Sequence, residues 1–227
     1  MKRIGKMAEI AWFIGTFVCA FGVVLCTKAS FGLSMMAAPP YIAHVALVGW
    51  LPWYSQGTSE YVWEAVLLLV MFLLIRKFRL KYLLCYLSGV IFGLALDLWL
   101  LVLGGGGMFS SLGLRIMGFC CGILCISLSV AFVFRTYLPP QIPELLVMEV
   151  AKHFRVDPTR IKLINDITCL VLSFTLSLVF TGGLIGVGVG TVVIALVNAP
   201  LIKLWSKLID KLFTFEPMFP KLKAWLE

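Results

Sequence analysis

Four acidic residues in or beside long apolar runs are the side chains of this sequence best suited to chemistry. Asp97 lies well inside one run, Glu64 and Asp166 lie near the start of two others, and Glu144 directly follows a proline. Ionisable side chains at membrane depth are costly, and they commonly mark proton relays or cation pathways. An acid poised between burial and a nearby cation such as Arg135 could exchange a proton.

Each of these acids also has an ordinary structural explanation, and the sequence leaves both open. Asp97 would be a carboxylate at the membrane interface, paired with Arg115. Glu64 and Asp166 would be acids near helix N-termini, where the helix dipole favours negative charge. Glu144 would cap a short helix rather than face a cavity.

Six long apolar runs must position these residues. They span residues 9–27, 60–75, 82–103, 113–134, 162–181 and 185–205. Crossing a hydrocarbon layer of about 30 Å takes about 20 apolar residues as a helix, and the runs have that length. With 61% hydrophobic and 13% charged residues, the sequence predicts an all-α membrane protein with six transmembrane helices in one domain, 1–227.

The cations predict the orientation of these helices. If the N-terminus is cytoplasmic, 17 of the 19 Lys and Arg residues fall on the cytoplasmic side, and only Lys28 and Arg115 do not. Short loops rich in Lys and Arg stay in the cytoplasm. The sequence therefore predicts a multi-pass protein with both termini cytoplasmic. The net charge of +8 reflects this topology and the lipid bilayer as partner, with no nucleic acid.

The chain resembles a duplication, with a first repeat at 9–103, a second at 113–210 and a cytoplasmic tail at 211–227. Each repeat has a long helix, a connector with a proline pair, and two more helices. The pairs are Pro39-Pro40 and Pro139-Pro140. Three helices per repeat invert the second copy relative to the first. Inverted repeats are typical of transporters that open alternately to the two sides.

The two connectors, residues 32–48 and 138–154, start with helix breakers and continue into short helical stretches. Proline lacks an amide donor and clashes with the preceding turn, so neither connector can extend the helix before it. Two interpretations remain open for each. It lies at the interface as an amphipathic helix, or it re-enters the membrane and lines a cavity.

The last apolar run starts with closely spaced glycines that include Gly188 and Gly190, followed by Thr191. They imitate part of a dinucleotide-binding loop, but no strand precedes them, so we reject that interpretation. The glycines instead favour close packing or local unwinding. Asn198, on one helical face with Thr191, is a candidate neutral contact. We expect Glu144, Asp166 and the 188–191 segment to border one cavity between the repeats, closed on the far side by Asp97.

Cofactor and enzyme signatures are missing from the sequence. All seven cysteines lie in predicted helices without a CxxC pair, which favours packing over a copper(I) pathway. No HExxH, GxSxG or P-loop motif occurs. We therefore expect no metal, no cofactor and no enzymatic activity, and any energy for transport must come from an ion gradient or a partner.

Short motifs resemble those of the YczE/YyaS/YitT-like bacterial membrane proteins. In the second half the matching residues are Pro143-Glu144, Arg160 with Asp166, Gly188-Val189-Gly190-Thr191 and Pro200. In the first half Lys28, Ala29, Gly32 and Ser34 match, but Met35 replaces the proline of the pattern. The resemblance implies a six-helix protein of the bacterial cytoplasmic membrane, often supposed to be a transporter, with no secure substrate.

Two functional hypotheses follow. The first is a secondary transporter or exporter that moves a small molecule or ion through a cavity between the repeats, with a proton as the coupling ion. The second is an accessory protein that does not transport and assists a synthase or another transporter. A homo-oligomer and a membrane partner protein are both compatible with the sequence.

Overall fold

The computed structural model describes residues 3–6, 8–104 and 109–226. Six helices are long and apolar enough to cross a membrane, as predicted. They are α1 (Ala8–Ala29), α3 (Gln56–Ile75), α4 (Lys81–Val102), α5 (Leu112–Val133), α7 (Pro158–Thr181) and α8 (Val189–Leu212). The connectors form two short helices, α2 (Ala38–Leu47) and α6 (Ile142–Phe154).

The six predicted spans are confirmed, and their ends differ where polar residues or glycines control the backbone. α3 starts at Gln56 because the Ser55 hydroxyl accepts a hydrogen bond from the Thr58 N–H. α8 starts only at Val189, later than predicted. The reason is that Gly182 and Gly186 adopt positive φ angles of 65° and 75°, which a continuing helix does not allow.

The two chain ends meet, which adds a small β-structure to the predicted all-α fold. Strands β1 (Arg3–Lys6) and β2 (Phe213–Glu216) pair in parallel, and helix α9 (Pro220–Leu226) follows. The predicted tail is therefore ordered against the N-terminus. Both chain ends lie on one side of the protein, which we call the terminal side.

Helices α1 and α5 cross at the centre of the structure, where two glycines face each other. A Cβ on Gly22 would lie 2.7 Å from the Gly122 carbonyl oxygen, and one on Gly122 would lie 2.8 Å from that of Gly22. Small residues of this kind let the backbones of membrane helices approach closely. The main hydrophobic cluster surrounds this crossing, with members from α1, α2, α4, α5 and α8.

The connectors pack on the opposite half of the chain. α2 packs against α7, and α6 packs against α3, while α1 lies on α4 as α5 lies on α8. Exchanging the two halves reproduces each of these contacts, as an inverted repeat would require, although the repeat itself stays a prediction. Two contacts have no counterpart. α3 packs along α4 whereas α7 and α8 contact each other little, and α4 contacts α6 whereas α8 and α2 contact each other little.

We expect the terminal side to be cytoplasmic. Reporter domains fused after Trp53 and Gly183 should be active only outside, and those after Arg79 and Lys152 only inside. The physical reason is the retention of Lys- and Arg-rich short loops in the cytoplasm. Paired alkaline phosphatase and fluorescent reporters would measure this, and two reversed positions would contradict the orientation.

Candidate functional site

Two glutamates lie inside the protein on α3. Glu60 is 7% exposed and Glu64 is 3% exposed. Glu64 follows Gln56 by eight residues and precedes Ile75 by eleven, so a rise of about 1.5 Å per residue puts it roughly 12 Å and 17 Å from the helix ends. It therefore lies near the middle of this span.

The structure makes room for Glu64 on α4. A Cβ on Gly89 would lie 1.6 Å from Glu64 Oε2, so the carboxylate occupies the space that any other residue at this position would fill. One turn further along α4, Gly93 makes similar room for the backbone of Gly57. The close packing of α3 on α4 thus depends on two glycines spaced four residues apart.

The start of α6 is directed at the same place. Its first residues, Ile142 and Pro143, are buried, and the backbone amide of Ile142 lies close to the Glu64 carboxylate. The free N–H groups at a helix start favour a nearby anion. Because this end of α6 reaches the middle of α3, it fits the re-entrant interpretation of the connector better than the interfacial one.

Glu144 belongs to the first turn of α6 and completes a group of three carboxylates. Both Glu60 and Glu144 lie within Coulombic range of Glu64. Burial raises the pKa of the Glu144 carboxyl, an effect that Lys162 partly offsets. We call Glu60, Glu64 and Glu144 the acidic cluster.

Each member of the acidic cluster has one oxygen without a partner. Glu60 Oε1, Glu64 Oε2 and Glu144 Oε2 are buried and accept no hydrogen bond. Within the described part of the chain the ion pairs are Arg135–Asp210 and Lys162–Asp166, so none reaches the cluster. A buried carboxylate oxygen that accepts no hydrogen bond is expensive, which distinguishes this cluster from an ordinary structural feature.

A cavity of about 70 Å³ lies in front of the acidic cluster. Glu144 and Cys19 line it, and Cys19 is within Coulombic range of Glu60. Its walls come from both halves of the chain, in the terminal-side parts of α1, α4, α5 and the segment before α6. The other lining residues are Trp12, Thr16, Ser88, Ser129, Val130, Val133, Phe134, Pro139, Pro140 and Gln141.

On the side away from the termini, the backbone of the segment after α1 packs directly against the start of α8. The Gly190 N–H donates to the Phe31 carbonyl oxygen (2.8 Å), and the Leu33 N–H donates to that of Gly186 (2.9 Å). Gly32 has a φ of 121°, and a Cβ there would lie 2.6 Å from Thr191 Oγ1. The segment after α1 and the start of α8 thus close this side together.

Residues 6–207 match DUF6198, a family of unknown function. The chain belongs to this family. The match includes the acidic cluster, the cavity and the start of α8. No curated protein and no solved structure matches the chain. The resemblance to the YczE/YyaS/YitT-like proteins therefore stays a prediction.

The predicted single cavity is not what this DUF6198 protein forms. Of the predicted site residues, Glu144 lines the cavity and Glu64 lies behind it. Gly188, Gly190 and Thr191 belong to the closed side instead. Asn198 on α8 lies outside the lining, with its side-chain oxygen buried and without a partner.

Asp97 was predicted to close the cavity, and this placement is wrong. Its carboxylate accepts hydrogen bonds from the Ser55 hydroxyl (2.5 Å) and the Gly57 N–H (2.8 Å), and thereby holds the start of α3. The alternative pairing with Arg115 is also wrong. Arg115 donates to the backbone carbonyl oxygens of Ala29 and Ser30 at the end of α1.

The two other charged candidates lie apart from the cavity wall. Asp166 is half-buried on α7 and pairs with Lys162 at 3.6 Å, one helical turn earlier. Its connection to the site is the electrostatic repulsion between its carboxylate and that of Glu144. Arg135 pairs with Asp210 at 2.6 Å and ties the end of α5 to α8.

Sequence reasoning missed Glu60 and the cavity wall. The signal for Glu60 was its position four residues before Glu64, which places both on one helical face. Trp12, Thr16 and Cys19 share a face of α1 by the same spacing rule. That face is only weakly polar, so nothing in the sequence separated it from ordinary packing.

Proposed function

We propose that this protein is a secondary transporter that moves a small solute between the two sides of the membrane and uses a proton as the coupling ion. The observation that carries this proposal is the acidic cluster, buried without a salt bridge to the described residues, beside a cavity that both halves of the chain line and that Glu144 borders. A structural protein gains nothing from three buried carboxylates without salt bridges, whereas a carrier needs groups that exchange protons or cations.

The position of the cavity on one side of the protein supports the proposal. The cavity lies in the terminal-side half, and the contacts of Phe31 and Leu33 with the start of α8 close the other half. The packing is also uneven, in this case between helices. In the apolar segments of α7 and α8 only 17% and 11% of residues are buried, against 39–50% in the other four spans.

This asymmetry is what one state of an alternating-access cycle would look like. In a carrier with inverted repeats, the halves exchange their conformations to open the opposite side. Here the counterpart of the tight α3–α4 contact would be a tight α7–α8 contact. Forming it while loosening α3 from α4 would move the opening from the terminal side to the other side.

Proton-coupled flux in reconstituted vesicles tests the proposal. Purified protein is placed in liposomes that contain a pH-sensitive dye and have an acidic interior. Cationic, neutral and anionic solutes are then added separately outside. We expect one class to drive proton efflux in vesicles with protein and not in empty ones.

Matched variants identify the site in the same assay. Glu144→Gln removes a cluster carboxylate and should lower the flux, whereas Glu149→Gln changes a glutamate on the same helix that accepts a hydrogen bond from Tyr82 and should not. If no solute moves in any direction, with or without a pH gradient, the transporter proposal is wrong and an accessory role is the better explanation. Solute transport at a rate that does not depend on the pH gradient would show that the proton is not the coupling ion.

A further inference from the structure

The hydroxyl and carboxylate groups that line the cavity act as hydrogen-bond acceptors, whereas Trp12 and Gln141 also carry N–H donors. Thr16, Ser88 and Ser129 donate their hydroxyl protons to carbonyl oxygens one turn earlier on their own helices, at 3.0, 3.0 and 3.1 Å. A hydroxyl that has donated its only proton can offer a ligand nothing but lone pairs. Glu144 adds carboxylate oxygens, which are also acceptors.

The acidic cluster behind the wall strengthens this bias. Glu60 and Glu64 are more than nine-tenths buried, and each holds an oxygen that accepts no hydrogen bond. Anions are therefore disfavoured at this place by charge and by hydrogen bonding alike. A ligand that brings positive charge and N–H donors would satisfy both requirements at once.

A bare metal ion fits this arrangement less well. Within the described residues, no group of three or more His, Cys, Asp or Glu side chains is placed to hold a metal ion. The aromatic ring of Trp12 and the rings of Phe134 and two prolines form much of the remaining wall. Aromatic faces attract organic cations, most strongly once these are desolvated.

We propose that the acidic cluster and the cavity before it bind a small organic cation that carries N–H donors, of the guanidinium class, in competition with protons. A cavity of about 70 Å³ has room for so small a group, because about 10–15 Å³ of such volume already holds a water molecule. A planar guanidinium group presents parallel N–H donors that match a carboxylate. This inference names the substrate class of the transport proposed above and rests on it for flux, but binding can be measured separately.

Competition with protons predicts how binding depends on pH. The titratable groups that interact with Glu144 are Cys19 of α1, Glu64 of α3, and Lys162 and Asp166 of α7, and Glu60 interacts with Glu64 and Cys19. Because burial raises the pKa of the Glu144 carboxyl, its bound proton is lost only at higher pH. The affinity for the cation should therefore increase as the pH rises.

Four solutes separate charge, shape and hydrogen bonding in one experiment. Guanidinium is the test cation, and it stays charged at every practical pH. Urea has the same planar shape without the charge, tetramethylammonium has the charge without N–H donors, and sodium controls for ionic strength. Low millimolar concentrations avoid denaturation, and binding is read as a rise in the melting temperature of the purified protein.

We expect guanidinium alone to raise the melting temperature, and more so at higher pH. Glu64→Gln and Glu144→Gln should each weaken binding about tenfold or more, which corresponds to the loss of one charge-assisted hydrogen bond. Glu149→Gln, on the same helix as Glu144, should bind as the unmodified protein does. Equal effects of urea and guanidinium, or unchanged binding in both cluster variants, would overturn the inference.

Flux distinguishes this inference from the transporter proposal. If guanidinium binds in the predicted way but moves no protons in vesicles, the result supports the binding site and contradicts the transport proposal. If a neutral or anionic solute drives proton flux and guanidinium is neither bound nor transported, the result supports the transport proposal and contradicts the cation site. Guanidinium-driven flux that is lost in Glu64→Gln would support both.

Discussion

Glu64→Gln is expected to abolish proton-coupled flux and, in the same protein, to raise the melting temperature. Glutamine has nearly the shape of glutamate, so it should fit over Gly89 as the carboxylate does. It cannot carry a negative charge or exchange a proton at this position. Flux should therefore fall to the level of vesicles without protein.

The gain in stability has a separate physical cause. Glu64 is 3% exposed and one of its two oxygens has no partner, so a negative charge there is only partly compensated. Keeping one ionised group inside a protein costs several kcal/mol, and a neutral amide of similar volume does not carry this cost. Functional sites commonly hold such locally unfavourable groups, and removing them exchanges activity for stability.

Melting curves and flux must be measured on the same preparation. The matched control is Glu149→Gln, since Glu149 accepts a hydrogen bond from Tyr82 at 2.9 Å, which a glutamine can also accept. It should change neither property much. A Glu64→Gln variant that melts at a lower temperature and still couples flux to protons would show that Glu64 has a structural role.

The membrane-spanning helices could be predicted because their signal is local. Each needs only a sufficient run of apolar residues, and this property is visible without knowing any neighbour. The ends were less certain because they depend on single polar contacts. The Thr58 N–H finds its acceptor in Ser55, and this interaction extended α3 beyond the apolar run that the prediction followed.

The site was predicted only in part because its assembly depends on contacts between distant segments. Glu144 and Glu64 were recognised as acids at membrane depth, but nothing in the sequence shows that α6 packs against α3. Asp97 had the same sequence signal, and it instead binds Ser55 and Gly57, about forty residues earlier. An acid inside an apolar run therefore marks a buried polar contact without indicating which partner it has.

One pair could have been interpreted correctly from spacing alone. Lys162 and Asp166 are separated by four residues on α7, and oppositely charged residues at this spacing face each other on a helix. Their pairing at 3.6 Å gives Asp166 a partner that the acidic cluster lacks.

The α1–α5 crossing supports both halves of the cavity, and Gly122→Ala should disrupt it. The added Cβ would lie 2.6 Å from Cys26 Sγ and 2.8 Å from the Gly22 carbonyl oxygen. A methyl group cannot be accommodated beside a backbone atom unless the two helices separate. Forcing extra volume into a packed core costs about 1–3 kcal/mol or more, so we expect a lower melting temperature and a lower yield of folded protein.

Gly113→Ala is the matched control, because it makes the same change on the same helix. A Cβ at Gly113 would have nothing within 4 Å. Alanine in place of glycine in a helix is favourable by roughly 0.5–1 kcal/mol, so this variant should be neutral or more stable. If both alanine variants behave alike, the crossing is looser than the structure shows.

A double variant decides which atom opposes the new methyl group in Gly122→Ala. Cys26→Ala removes the sulfur that would lie nearest, but it leaves the Gly22 carbonyl oxygen in place. If the sulfur were the obstacle, Cys26→Ala combined with Gly122→Ala would melt at nearly the same temperature as Cys26→Ala alone. We expect the combined variant to stay well below it, because the backbone of α1 cannot rotate away as a side chain can. Full recovery in the double variant would show that close backbone approach is not what holds α1 and α5 together.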